Sequence, residues 1–285
     1  MKILITGATG GYGNYTLKKL LQLVPKNEII ALARNQEKAQ KLEDQGVAVR
    51  IANYDDPQTL NTAFQGVTRL LFVSSSEIDK RQAQHQNIIA AAQKNGISYI
   101  AYTSFGEADT STSPLAVDHA YTEKLILASG IEHTFLRNNW YLENEASLVA
   151  AALKTEKFVH AGGDGKAGWG LKREFAEIGA RAVSGKFNFP SILEVGGPLL
   201  TYQQLADALA NVTDKKLAIN ATDAQASAKF LEDNADLPKN AAEFSASSQE
   251  IVKSGSLAIE PDDMIKYLGH PLTPIEDAVK ELFVS

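Results

Sequence analysis

Lys2-Ile3-Leu4-Ile5-Thr6-Gly7-Ala8-Thr9-Gly10-Gly11-Tyr12-Gly13 is the stretch that decides the fold. It begins as an apolar run too short for a helix and rich in β-branched residues, which reads as a buried strand. A glycine-dense turn follows at once. Beyond Gly13, the residues Tyr15, Leu17, Leu20, Leu21 and Val24 make an apolar face at helical spacing. Strand, glycine turn and helix in succession are the context in which such glycines point to a dinucleotide phosphate. They stand at 7, 10 and 13, a G-x-x-G-x-x-G spacing rather than the usual G-x-G-x-x-G. Gly7 would permit the tight turn off the strand. Gly10 or Gly11 would let a pyrophosphate approach bare backbone, and Gly13 would let the helix pack closely. The helix start supplies free N–H donors and a positive dipole end.

The chain has 285 residues, room for one large α/β domain with an appendage or for two domains. Hydrophobic residues make up 44%, enough for a substantial core. Cysteine is absent, which excludes disulfides, thiol catalysis and cysteine metal sites and suits a reducing cytosol. The net charge is −6 with no long basic run, so nucleic-acid binding is not expected. No apolar stretch is long enough to span a membrane, and the chain enters its first strand without a signal-peptide pattern. The expectation is a soluble cytoplasmic protein. His85, His119, His133, His160 and His270 lack metal-ligand spacing, so no metal site is expected. No serine sits in a G-x-S-x-G elbow, which sets hydrolase chemistry aside.

Further strands read at Glu28–Ala33, Val47–Ile51, Arg69–Val73, Tyr99–Thr103 and His133–Leu136. Helices read at Gln36–Asp44, after Pro57, at Lys80–Asn95 and at Asp118–Ser129. Strands alternating with helices mean right-handed parallel βαβ units. The fold class is therefore α/β, a Rossmann-type doubly wound parallel sheet with a smaller, mostly helical C-terminal lobe. Ligands on such sheets bind beyond the carboxyl ends of the strands. Later come a strand at Phe158–His160, a turn at Ala161–Gly165 and a helix over Arg173–Ser184. A strand at Ile192–Val195 could rejoin the sheet. Thr201 reads as the N-cap of a helix over Tyr202–Asn211, and Lys216–Ile219 as a short strand. The expected division is a cofactor-binding domain over 1–155, rejoined by 173–197, with 156–285 mainly forming a lobe that covers a substrate.

An NAD enzyme usually places Asp or Glu at the end of the second strand, on the ribose 2′-hydroxyl. Here that strand ends Ala31-Leu32-Ala33-Arg34-Asn35. A guanidinium at 34 attracts the 2′-phosphate that a carboxylate would repel, so the expected cofactor is NADPH rather than NADH. Ser74-Ser75-Ser76 closes the fourth strand, where backbone runs past the cofactor ribose. Asn53-Tyr54 would edge the adenine.

Taken together, several segments resemble a known family. They are Thr6–Gly13, Ala33-Arg34-Asn35, Ser74–Glu77, Ile100–Ser104, Thr122-Glu123-Lys124, Phe135–Tyr141, Ala161–Lys166 and Leu268–Pro271. The chain looks like the bacterial NADPH:quinone oxidoreductase type 2 proteins, NmrA-like atypical short-chain dehydrogenases close to triphenylmethane reductases. The resemblance implies NADPH contacts from Gly7, Ala8, Thr9, Gly10, Gly11 and Tyr12, from Arg34, and from Ser74, Ser75 and Ser76. It also implies that Asn138, Asn139, Trp140, Tyr141, Leu142 and Glu143 close around the nicotinamide end. Asn53 stands where relatives are expected to carry Asp. Gly168-Trp169-Gly170-Leu171 is unlike them, which would alter specificity if that loop faces the substrate.

Ordinary short-chain dehydrogenases use a Tyr four residues before a Lys. Here Ala120 holds that place before Lys124, and Tyr121 is displaced by one step around the helix. The phenol that protonates an alkoxide is missing or displaced, which weakens an alcohol dehydrogenase or epimerase reading. A quinone is an easier acceptor, because its product anion is delocalised and needs alignment and hydrogen-bond donors more than a strong acid. The expected reaction is direct hydride transfer from NADPH to a quinone, without flavin. Lys124 would hold the nicotinamide ribose, and Thr103, Asn138 and Tyr141 are candidate orienting donors. A non-catalytic NADP(H)-sensing regulator is a second reading, and a reductase of another flat, electron-poor substrate such as a dye is a third. The sequence leaves a homodimer open.

Overall fold

In the computed structural model, which describes residues 1–284, the glycine turn closes an interior strand of a seven-stranded sheet. The first half alternates strand and helix: β1 (Ile3–Ile5), α1 (Gly11–Leu23), β2 (Ile29–Ala33), α2 (Gln36–Glu43), β3 (Ala48–Ile51), α3 (Pro57–Ala63), β4 (Arg69–Phe72), α4 (Arg81–Lys94), β5 (Tyr99–Phe105), α5 (Ala116–Ser129) and β6 (Glu132–Asn138). The rest runs α6 (Ala146–Thr155), β7 (Lys157–His160), β8 (Lys166–Ala167), α7 (Lys172–Val183), β9 (Ile192–Val195), β10 (Leu200–Thr201), α8 (Tyr202–Thr213), β11 (Ala218–Ala221), α9 (Ala224–Asn234), α10 (Lys239–Lys253), α11 (Met264–Leu268) and α12 (Ile275–Phe283).

The sheet order is β3-β2-β1-β4-β5-β6-β9, with every pair parallel. The order reverses between β1 and β4, and a crevice opens at the carboxyl ends of strands at such a switch point. Side chains alternate across the sheet. Ile3 and Ile5 pack with Leu17, Leu20 and α7, whereas Leu4 packs on the other face with Leu60, Ile88 and Ile126. Thr6 Oγ1 accepts from Val73 N–H at 2.8 Å and ties the ends of β1 and β4 together. A separate apolar core gathers α6, α8, α10 and α12 with β7 around Phe158, Trp169 and Tyr202. Among the described residues no helix is long and apolar enough to cross a membrane.

Local chemistry accounts for many of the boundaries. Asn35 caps α2 by accepting from Lys38 N–H, and Asp56 caps α3 ahead of Pro57. Gly130, at φ +71°, ends α5. Thr201 and Gln204 form a capping box on α8. The central strands run further than apolar patterning indicates. β5 and β6 continue as the pairs Ser104↔Arg137 and Phe105↔Asn138, because Ser104 and Arg137 find polar partners inside the fold. α6 carries no side-chain cap to announce it, and β8 and β10 are too short for periodicity to mark. The strand expected at Lys216–Ile219 lies at Ala218–Ala221, where it pairs in parallel with β7.

Arg137 locks the extended strand ends. Its guanidinium donates to Glu123 at 3.0 and 2.7 Å and meets Asp109 at 2.9 Å and Glu194 at 3.3 Å. Ser104 Oγ also donates to Glu123, at 2.6 Å. One buried cation thereby joins β5, β6, β9 and α5. Removing it leaves a buried carboxylate without its partner. Arg137→Ala is expected to lower unfolding free energy by about 3–5 kcal/mol, measured by urea denaturation.

Candidate functional site

Two hollows run along the carboxyl edge of the sheet and share Ser74 as a lining residue. The larger, about 380 Å³, lies over the glycine turn. Gly7 sits at φ +61°, and a Cβ there would stand 3.2 Å from that of Val73. A Cβ on Gly13 would stand 2.3 Å from the Gly7 carbonyl oxygen, so the turn closes onto its own helix through bare backbone. Gly10 is the N-cap of α1 with no side-chain cap, which leaves the opening of the helix to a ligand. Tyr54 Oη accepts from Gly7 N–H at 3.2 Å and fixes the turn from the side. Thr9, Gly10, Gly11 and Tyr12 line the hollow, while Ala8 is fully buried in the core beneath it. Tyr12 Oη donates to the carbonyl of Phe175 at 2.9 Å, anchoring α1 to α7.

At one rim stand Arg34 and Lys38. The capping turn at Asn35 brings Lys38 back beside Arg34. Arg34 Nη1 is 2.5 Å from Glu77, and its guanidinium lies 5.6 Å from the centre of the Tyr54 ring. Two cations at this rim give a 2′-phosphate a charge-matched seat. Tyr54 lines the hollow, but Asn53 does not. Asn53 Oδ1 accepts from Asp55 N–H, so its side chain shapes a turn. Ser74 and Ser76 line the floor with Ser75, whose hydroxyl donates to Gln84 Oε1 at 2.5 Å.

The second hollow, about 200 Å³, includes Thr103, His119, Asn138, Trp140 and Tyr141, with Phe244 from α10. Thr103 Oγ1 accepts from Ser74 N–H at 2.8 Å. Asn138 Nδ2 donates to Tyr141 Oη at 3.1 Å, and Asn138 Oδ1 is buried with no partner. Burial pushes the Tyr141 phenol well above its usual range, so it stays protonated. Lys172 Nζ lies 5.2 Å from the centre of the Tyr141 ring and lines the larger hollow. Bare amides and paired cations together fit NADPH.

The structure places the side chains of several expected contact residues away from the two hollows or engages them elsewhere. Lys124 lines neither hollow. Residues 116, 119, 122, 123 and 126 form the buried face of α5, and Lys124 lies around from them on the exposed side. Leu142 is fully buried in the helical core. Glu143 is engaged by Lys172 N–H, 3.0 Å from each of its oxygens, at the start of α7. Asn139 lines the second hollow, but its amide serves the scaffold: Nδ2 donates to Leu257 O and Oδ1 accepts from Gly168 N–H, each at 3.0 Å. Ala8 offers no side chain to a ligand. Trp169 and Leu171 are buried behind Trp140, so that loop does not face the second hollow. Lys38, Lys172 and His119 were missed in sequence reasoning. The Asn35 cap was a usable signal for Lys38. Nothing local marks Lys172 or His119, which reach the crevice from distant parts of the chain.

Trp140 is held from behind by Glu145. This buried carboxyl accepts on Oε1 from Trp140 Nε1 at 3.1 Å, Trp169 Nε1 at 3.1 Å and Tyr202 Oη at 3.0 Å. Burial pushes it up from 4.5 to about 7 against the pull of those donors.

The description NmrA-like family fits residues 1–263. The chain is 39% identical to quinone oxidoreductase 2 of Escherichia coli (strain K12), over 99% of this chain and 98% of that one. The structure of the E. coli NADPH-dependent quinone oxidoreductase complexed with NADPH superposes with a TM-score of 0.91 at 39% identity, covering 99% of each chain. The Citrobacter sp. triphenylmethane reductase complexed with NADP(H) superposes with a TM-score of 0.92 at 33% identity, again over 99% of each.

The raised Glu145 carboxyl has a measurable consequence. Between its usual value of 4.5 and about 7 the folded chain holds this proton more tightly than the unfolded chain does. Its contribution to stability is therefore full below pH 4.5 and lost as pH rises through 7. Glu194 is raised to about 7 as well, so the informative quantity is the difference between wild type and variant. Between pH 5 and 8, Glu145→Gln is expected to lose less stability than wild type, by on the order of 2 kcal/mol, measured by urea denaturation at each pH.

Proposed function

The chain belongs to the NmrA-like family, and on that premise we propose that it is an NADPH-dependent reductase transferring hydride directly to a quinone-like acceptor. The observation that carries this reading is that the two hollows meet at Ser74, one lined by bare amides and cations that suit a phosphorylated dinucleotide and the other left for a flat acceptor. The E. coli quinone oxidoreductase, similar over nearly the whole chain, supports it. Bound NADPH supplies a hydride from C4 of its nicotinamide. The uncapped opening of α1 holds the diphosphate through backbone amides. Arg34 and Lys38 hold the 2′-phosphate.

Thr103 and Tyr141 each accept a hydrogen bond from the protein and keep a hydroxyl proton of their own. Those protons orient the acceptor. Trp140 and Tyr141 wall the hollow, while Ile78 and Phe244, 47% and 55% exposed, form an apolar mouth. Among the described residues no Tyr and Lys four apart on one helix line the hollow, which disfavours alcohol or sugar substrates. A quinone needs no strong acid, because hydride addition leaves a delocalised anion of modest basicity.

Anaerobic stopped flow of the chain with NADPH and 1,4-benzoquinone is expected to show a single phase of NADPH oxidation without flavin absorbance. A chain that retains NADPH but oxidises it with none of a panel of quinones is a sensor, and the reductase reading falls. Arg34→Glu is expected to weaken NADPH binding on the order of 100-fold, from a lost charge-assisted pair and a new repulsion. NADH binding should change less than threefold. Calorimetry with both cofactors checks this, and equal losses refute the assignment of Arg34.

A further inference from the structure

We propose that His119 donates, through Nε2–H, the hydrogen bond that stabilises the acceptor oxygen as hydride transfer places negative charge on it. The proposal rests on the quinone-reductase reading above. It does not follow from the glycine turn or from the cofactor seat.

His119 lines the acceptor hollow and keeps only 8% exposure. Its Nδ1 lies 2.9 Å from Tyr102 Oη, and Nε2 has no protein partner among the described residues. Nε2 is also absent from the sealed, unpartnered atoms of the interior, so this edge of the ring opens to the hollow.

The hydrogen bonds around Tyr102 set the tautomer. His85 Nε2 accepts from Ser75 N–H at 3.0 Å, so the neutral His85 ring carries its proton on Nδ1 and donates to Thr122 Oγ1 at 2.7 Å. Thr122 Oγ1 passes its own proton to Asp118 O at 2.7 Å, so His119 Nδ1, 2.9 Å away, is the acceptor that the buried Tyr102 hydroxyl meets. The Tyr102 proton is then directed to His119 Nδ1, which leaves the His119 proton on Nε2, facing the hollow.

The charge state is suited to the role. Burial and the nearby Arg81 guanidinium push His119 down to about 3, so it is a neutral imidazole at working pH. Arg81 is held by Ser75 O at 2.7 Å and faces Asp118 at 3.7 Å. A neutral, fixed donor needs no reorganisation when charge develops. On the buried face of α5, His119 and Glu123 are the ionisable residues four apart; in ordinary short-chain dehydrogenases such a spacing is held by Tyr and Lys. Glu123 is committed to Arg137 and Ser104, so His119 alone of the two serves the acceptor. The quinone gains two electrons and one proton as hydride, and the oxygen left anionic takes the product's second proton from water. His119 donates a hydrogen bond throughout and is not consumed.

Two substitutions separate this role from a structural one. His119→Asn keeps a short amide able to accept from Tyr102 but lacks reach into the hollow. His119→Gln places its amide N–H near the original Nε2 and gives up the Tyr102 bond. With NADPH affinity unchanged in both, the Asn variant is expected to lose about 100-fold in kcat for benzoquinone, and the Gln variant less than tenfold. The reverse order, or equal rates to wild type, overturns the proposal. A second readout needs no turnover. The wild-type chain without cofactor is expected to bind 4-nitrophenol with its ionisation shifted down by about one pH unit, a shift that the Asn variant loses and the Gln variant keeps. An unshifted or equally shifted phenol in wild type and the Asn variant also overturns it. Wild type that oxidises NADPH with no quinone overturns the underlying reading and the proposal with it, whereas wild type active with the Asn variant equally active overturns the proposal alone.

Discussion

The approach of Gly13 to the Gly7 carbonyl is the constraint on which this site depends. The distance from an added Cβ, 2.3 Å, leaves no room for any side chain. Because backbone meets backbone there, β1 can end, turn and start α1 within a few residues. The same compactness carries the opening of α1 to the switch point between β1 and β4. Thr6 bonded to Val73 keeps those two strand ends level, so the crevice stays continuous toward Ser74. A looser turn would move the helix dipole and the floor of the hollow apart.

The two ends of the crevice use opposite electrostatics. The turn, Arg34, Lys38 and Lys172 present amides and cations, which match phosphates. The far end presents mostly neutral dipoles. His85 is pushed down to about 2 and His119 to about 3, chiefly by burial, and the Tyr141 phenol is pushed up. Every one of these groups is therefore uncharged at neutral pH. A flat, uncharged acceptor loses little on leaving water for such a surface, and its charge appears only during transfer. Arg81 supplies a fixed positive charge nearby, balanced against Asp118.

The helical core governs the acceptor wall indirectly. Trp140 and Trp169 share one carboxyl oxygen with Tyr202, so the indole at the hollow is set by residues from three separate segments. Asn139 does the same for the chain path, spanning Gly168 and Leu257. These bonds explain why the loop at Gly168–Leu171 lies behind the wall rather than in front of it.

The sequence by itself determined the parallel α/β sheet, the glycine turn, and the cationic residue at the end of β2. Each is a local signal: a short apolar run, glycines in register with a helix, an Arg where a carboxylate would otherwise stand. Residues in those segments sit close together in the chain, so spacing alone predicts their geometry. Only the tertiary structure decided what lines the acceptor end. Lys124, Leu142 and Glu143 follow the expected segments but point into solvent, core and the start of α7, because helix phase and packing set direction rather than proximity in sequence. His119, Lys172 and Phe244 come from α5, α7 and α10, and their meeting depends on how the sheet and the helical core are folded over one another. Long-range packing of that kind leaves no periodic trace in the chain.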